Sequence, residues 1–194
     1  MPNTRFTLTL VAAASAIMGA QLLSPTANAA DFKLSSPSIR AGQTMSMKQV
    51  FNGFGCKGDN VSPALSWTSP PAGTKSLALT VYDPDAPTGS GWWHWVVFNI
   101  PATATGLPEG AGDPHAKLTT GATVQGMTDY GEPGYGGPCP PIGDKPHRYV
   151  FTIHALKTDA IPVDDKAPAA MVGFLIHQNS LGEASLTATY GRKE

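Results

Sequence analysis

The segment Asp83-Pro84-Asp85-Ala86-Pro87 runs within a few residues into Trp92-Trp93-His94-Trp95, and this junction restricts the chain to folds in which a rigid loop feeds an extended strand. Pro84 and Pro87 fix their φ angles and remove two backbone donors, so neither a helix nor an unbroken sheet ladder passes through them. A plain turn needs no such pair. Two prolines around two carboxylates, ahead of a histidine at a strand start, mark a loop that builds a site. Downstream, Gly136-Gly137-Pro138-Cys139-Pro140-Pro141-Ile142-Gly143-Asp144-Lys145-Pro146-His147-Arg148-Tyr149 has the same layout. The two loops read as facing walls of one small polar pocket.

Strands follow from the period-two pattern. In Lys75 to Tyr82, the residues Leu77, Leu79 and Val81 share one face and Ala78, Thr80 and Tyr82 the other. Trp92 to Ile100 is predicted to place Trp92, His94, Val96, Phe98 and Ile100 on one face and Trp93, Trp95, Val97 and Asn99 on the other. Apolar residues on both faces argue a central, covered strand. His147 to Leu156 sets His147, Tyr149, Phe151, Ile153 and Ala155 against Arg148, Val150, Thr152 and His154, and Glu183 to Tyr190 forms a closing strand. Asp31 to Trp67 is broken by glycines into short strands. Ala102 to Gly143 lacks periodicity and is too long for idle connection, so it should contribute to a site. The one helix spans roughly Ala167 to Gln178, with Pro168 in its first turn and Met171, Phe174, Leu175 and Gln178 near one side. With 21 glycines, 18 prolines and 14% charged residues, the chain is expected to be mainly β with one or two peripheral helices.

Arg5, an apolar run from Leu8 to Leu23 and the small-x-small triplet Ala27-Asn28-Ala29 make residues 1–29 a signal peptide, leaving a single domain over 30–194. An uncleaved N-terminal anchor is the alternative. No later stretch approaches the ~20 apolar residues of a membrane span. A formal net charge of −1 without a basic stripe excludes a nucleic-acid footprint and a polybasic lipid-surface patch. The expected location is therefore periplasmic or secreted. There Cys56 and Cys139 should form one intramolecular disulfide, with two buried free thiols as the alternative.

Taken singly, His94 and His147 read as core histidines satisfied by backbone carbonyls. Together, each at a strand end beside a rigid loop, they read as a site. Asp83 ends its strand and should point into the cavity mouth, orienting one imidazole and favouring its charged form. Asp85 should instead hold nearby backbone amides, a structural role. Arg148 has the wrong parity to join His147 and Tyr149, and is expected to pair with an aspartate of the first loop. Two imidazoles and a phenol suit a small oxyanion such as phosphate or carboxylate. The chain has no Gly-x-Ser-x-Gly elbow, phosphate loop or His-Glu-x-x-His motif, so binding is favoured over catalysis, with no cofactor and no metal. A hydrolase or metal enzyme using His94, His147 and Asp83 as a facial set is the rival.

Four ordered stretches carry a resemblance: Asn60-Val61-Ser62-Pro63-Ala64-Leu65-Ser66-Trp67, the Asp83–Pro87 loop, Trp92-Trp93-His94-Trp95-Val96-Val97-Phe98-Asn99, and Pro140 to Tyr149. They resemble the phosphatidylethanolamine-binding proteins, also called Raf kinase inhibitor proteins. Gly89-Ser90-Gly91-Trp92-Trp93-His94-Trp95 and Gly137-Pro138-Cys139-Pro140-Pro141 are similar to the bacterial YbhB/YbcL-type branch. The resemblance covers about Phe32 to Gly191. It implies a β-sandwich of two antiparallel sheets and an anion pocket formed by Asp83, Ala86, Pro87, Trp92, His94, Pro140, Pro141, His147 and Tyr149. It further implies a binding or inhibitor module for a phosphate, phosphoryl head group or carboxylate. A protein target (kinase or protease) and a homodimer are open alternatives for its partners, which the residues do not specify. A protein-interaction factor independent of the pocket is the alternative function. One position departs from many eukaryotic relatives, which carry glycine where Cys139 stands.

Overall fold

A computed structural model describes residues 32–68, 70–115 and 121–193. The expected signal peptide and its cleavage point lie outside the described residues. In chain order the elements are β1 (Lys33–Ser35), β2 (Leu65–Thr68), β3 (Ser76–Asp83), β4 (Trp92–Pro101), β5 (Gly106–Leu107), β6 (Val124–Gln125), β7 (His147–Leu156), α1 (Ala169–Asn179) and β8 (Ser180–Tyr190). They form two antiparallel sheets, ordered β1-β2-β5 and β6-β4-β3-β7-β8.

The two apolar faces seen in β3 bury themselves in different places. Leu77, Leu79 and Val81 join Phe151 and Ile153 of β7 and Leu65 and Trp67 of β2 in the core between the sheets. Ala78, on the opposite face, packs with Leu156 beneath Ala169, Val172 and Ile176 of α1. A strand covered on both sides must be apolar on both, and that accounts for the near-continuous run from Leu77 to Val81.

In β4 the expected alternation is corrected twice. Val81 pairs with Trp95 and Tyr82 with Trp93, which leaves His94 as an inserted residue, a β-bulge. Beyond it the parity flips. Trp95 and Val97 enter the inter-sheet core with Leu79 and Val81, while Val96 and Phe98 pack under α1. A second irregularity follows, with Leu77 opposite Ile100 but Leu79 opposite Val97, and Asn99 there takes a φ of 58°. Ile100 thereby returns to the inter-sheet core. His94 thus does not share a face with Val96 and Phe98: the extra residue turns it toward Tyr149, whose ring it meets edge-on at 5.0 Å.

The packing side of α1 is also corrected. Ala169, Val172 and Ile176 are buried, whereas Met171 and Phe174 are 51% and 61% exposed. The helix touches the sheet along a narrow i, i+3, i+7 line, so the large residues beside that line stay in solvent. Pro168 stands at the N-cap, one residue before the first helical one.

Candidate functional site

Antiparallel pairing brings the end of β3 and the starts of β4 and β7 together along one end of the larger sheet, the edge that runs across the strands, since Asp83 pairs with Trp92 and Tyr82 with Val150. Two rigid loops close over that edge and leave a cavity of about 190 Å³. All nine residues read from the sequence line it: Asp83, Ala86, Pro87, Trp92, His94, Pro140, Pro141, His147 and Tyr149. Phe54, Thr88, Tyr130 and Cys139 complete the wall. Of these only Cys139 lies in a loop that the sequence marked as a wall of the pocket. Tyr130 falls in the aperiodic stretch before the second loop, where nothing distinguishes it from other loop residues.

Asp83 is buried and both of its oxygens are occupied. Oδ1 accepts the Asp85 N–H at 2.8 Å, closing the loop, and Oδ2 accepts from His147 Nδ1 at 2.8 Å. This fixes the His147 ring. Its Nε2 looks toward Asp144 Oδ2 at a loose 3.4 Å, and the Asp144 side chain is 43% exposed. Asp85 takes the outer position: its carboxylate accepts the Arg148 backbone N–H at 2.9 Å and the guanidinium Nε and Nη2 at 2.9 and 2.7 Å. The Arg148 hydrogen bonds hold the Asp85 carboxyl down at about 2. The pair clasps the first loop to the start of β7.

His94 is bound twice to one residue. Its carbonyl accepts the Gly136 N–H at 2.8 Å and its Nδ1 stands 2.7 Å from the Gly136 carbonyl. A carbonyl only accepts, so Nδ1 carries a proton and donates it. Burial pushes this imidazole down to about 4, outweighing the Gly136 hydrogen bond and the Asp83 charge. His94 is therefore neutral at physiological pH, and the imidazole that Asp83 orients is that of His147. The neutral form follows from desolvation and distance: Asp83 acts on His94 only through space, while the direct partner of His94 is a carbonyl.

Two phenols flank the ring. Tyr130 donates to the Gly137 carbonyl at 2.7 Å. Tyr149 is 1% exposed and its hydroxyl has no hydrogen-bond partner. Burial raises the ionisation of both well above the ordinary tyrosine range.

The second wall is tied down from behind. Cys56 and Cys139 form a disulfide with Cα atoms 6.0 Å apart, and the two-free-thiol alternative is excluded. Asn60 contributes a second tie, accepting the Gly137 N–H at 2.7 Å and donating to the Tyr135 carbonyl at 3.0 Å. Ser62 accepts the Gly112 N–H at 2.8 Å. The Asn-Val-Ser-Pro stretch thus anchors the loops and takes no place in the cavity wall. For the rival metal reading, Asp83 has no free oxygen, and among the described residues no three His, Cys, Asp or Glu side chains form a metal-holding group.

Comparison with known proteins gives one consistent result. The family described as phosphatidylethanolamine-binding protein matches residues 35–191. The UPF0098 protein YbcL of Escherichia coli is 54% identical over 165 residues, 84% of this chain and 90% of that protein. The UPF0098 protein YbhB of the same organism is 52% identical over 158 residues, 81% of this chain and 99% of that one. The crystal structure of E. coli YbcL, described as a member of the mammalian PEBP family, superposes with a TM-score of 0.82 over 83% of this chain and 98% of that one, at 51% identity.

Proposed function

This chain belongs to the phosphatidylethanolamine-binding protein family, and on that premise we propose that its cavity is a binding site for a small oxyanion, a phosphate, phosphoryl head group or carboxylate. The Tyr149 hydroxyl is the observation that carries the reading. A buried donor left unpaired costs about 1–3 kcal/mol, and natural structures seldom leave one without a partner. Tyr149 lines a cavity together with two imidazoles, so an entering acceptor oxygen would satisfy it. The loosely held His147 Nε2 is the second contact, since an oxyanion can displace the half-exposed Asp144.

The protein acts, in this reading, as a binding or inhibitor module and not as a catalyst. Among the described residues the cavity wall carries no serine and no free thiol, and its one aliphatic hydroxyl, that of Thr88, donates to the Gly91 carbonyl. It works outside the cytoplasm after removal of residues 1–29. The Cys56–Cys139 disulfide supports that location, because such bonds persist in oxidising compartments.

Calorimetric titration of the purified protein with inorganic phosphate tests the function. His147→Ala should weaken binding by about ten- to a hundredfold, the range of one hydrogen bond to a charged group, while thermal melting shows the fold retained. Affinity unchanged in both His147→Ala and His94→Ala would reduce these histidines to structural residues.

A further inference from the structure

We propose that the cavity between α1 and the outer face of the larger sheet binds the primary ammonium group of a small amine, with Glu183, the Thr80 oxygen and Ser180 accepting its protons and the Trp93 indole packing its carbon chain. This site shares no lining residue with the oxyanion cavity and does not depend on that reading.

Strand parity builds the floor. Leu79 enters the inter-sheet core, so its neighbour Thr80 faces the α1 side. On that side His154 of β7 stands opposite Glu183 of β8. Because α1 buries only Ala169, Val172 and Ile176 against the sheet, a cavity of about 210 Å³ remains over these residues, with Trp93, His177 and Ser180 in its wall.

Three side chains from adjacent strands form a one-way relay of protons. His154 Nδ1 lies 3.3 Å from Glu183 Oε2, and a carboxylate only accepts, so Nδ1 carries the proton. Burial of the ring favours this neutral form against the Glu183 charge. Nε2 is then an acceptor, and the Thr80 hydroxyl at 3.0 Å donates to it. Both protons are thus spent within the relay, which leaves the lone pairs of Thr80 and the second oxygen of Glu183 as acceptors. Neither these oxygens nor the Ser180 hydroxyl has a further hydrogen bond among the described residues.

The charge around these acceptors has one sign. Helix α1 ends here at its Ser180 cap, so its negative pole adds to the Glu183 carboxylate. The basic groups of the wall are two imidazoles, His154 and His177, and no lysine or arginine lines it. A metal ion finds no set of three ligating His, Cys, Asp or Glu side chains among the described residues. A primary ammonium instead brings three donors and a positive charge together. Trp93, braced by Tyr82 at 4.7 Å, supplies an aromatic face suited to a cation and the carbon beside it.

The test is titration of the purified protein at pH 7.5, above the ordinary histidine range, with benzylammonium, benzyl alcohol and benzyltrimethylammonium, followed by calorimetry and by the NMR signal of the Trp93 indole N–H. Benzylammonium should saturate with about millimolar affinity, in keeping with its size, and shift the indole signal. Benzyl alcohol lacks the charge and benzyltrimethylammonium lacks the N–H donors, so each should bind about tenfold more weakly. Glu183→Gln, a change at a side chain 62% exposed, should keep the fold and the phosphate affinity while losing about tenfold for benzylammonium. Thr80→Val should lose several-fold, and His147→Ala should change nothing at this site. Unchanged benzylammonium affinity in Glu183→Gln, either control ligand within about threefold of benzylammonium, or no saturable binding would overturn the amine site and leave the oxyanion cavity standing.

Discussion

Asp83 and His147 hold each other at a point that neither shares with solvent, their side chains 4% and 5% exposed. One carboxylate thereby sets both a loop and an imidazole. Tyr149 is the opposite case, a buried hydroxyl with no partner. Tyr149→Phe should raise the urea unfolding free energy by about 1 kcal/mol, since the orphan polar group disappears without loss of ring packing. The same variant should bind phosphate several-fold more weakly. A stability loss would mean that the hydroxyl is satisfied in solution, and its assignment as a ligand contact would fall. Every one of these residues could be named from the sequence, because each stands at a strand end beside a proline-rigidified loop. Their protonation could not. His94 is a neutral Nδ1–H tautomer because of a carbonyl 42 residues away, a contact that no local pattern encodes.

Parity explains what the sequence showed of the strands and where it stopped. In β3 and β7 the alternation of apolar and polar side chains maps directly onto the two covered faces. In β4 it fails after Trp93, because the bulge at His94 adds a residue and no glycine or proline flags it. The bulge is also what lets His94 face the cavity while the next residue, Trp95, still enters the inter-sheet core. At the second wall the device is close approach. A Cβ on Gly137 would collide with the Gln49 carbonyl and lie 2.7 Å from the Phe51 nitrogen. Gly137→Ala must therefore push the loop outward, away from Asn60, which holds its N–H, and Tyr130, which donates to its carbonyl. The expected cost is about 1–3 kcal/mol in urea denaturation, the usual range for overpacking. Phosphate affinity should fall with it, since Pro140 and Pro141 ride on the same loop.

Across the whole molecule the sheets and the cavity are stabilised by separate means. The inter-sheet core is apolar and contains neither cysteine, whereas the cavity wall depends on loops held by a disulfide, by hydrogen bonds and by the packed rings of Phe51, Phe54 and Tyr130. The Cys56–Cys139 bond joins two of those loops across 83 residues of chain, one carrying Phe54 and the other Pro140 and Pro141. Closing a loop of that length lowers the entropy of the unfolded chain by an amount worth at most about 4–5 kcal/mol. The double variant Cys56→Ser with Cys139→Ser should lower the urea midpoint accordingly while keeping the far-UV circular dichroism of the native sheets. Phosphate affinity should fall in the folded double variant, because the Phe51 N–H to Pro138 carbonyl bond at 3.1 Å remains but the tie at Cys139 itself is gone. An unchanged affinity would show that the backbone bonds alone hold the wall. In that case the disulfide would act only through the unfolded chain, and its position beside the cavity would have no part in binding.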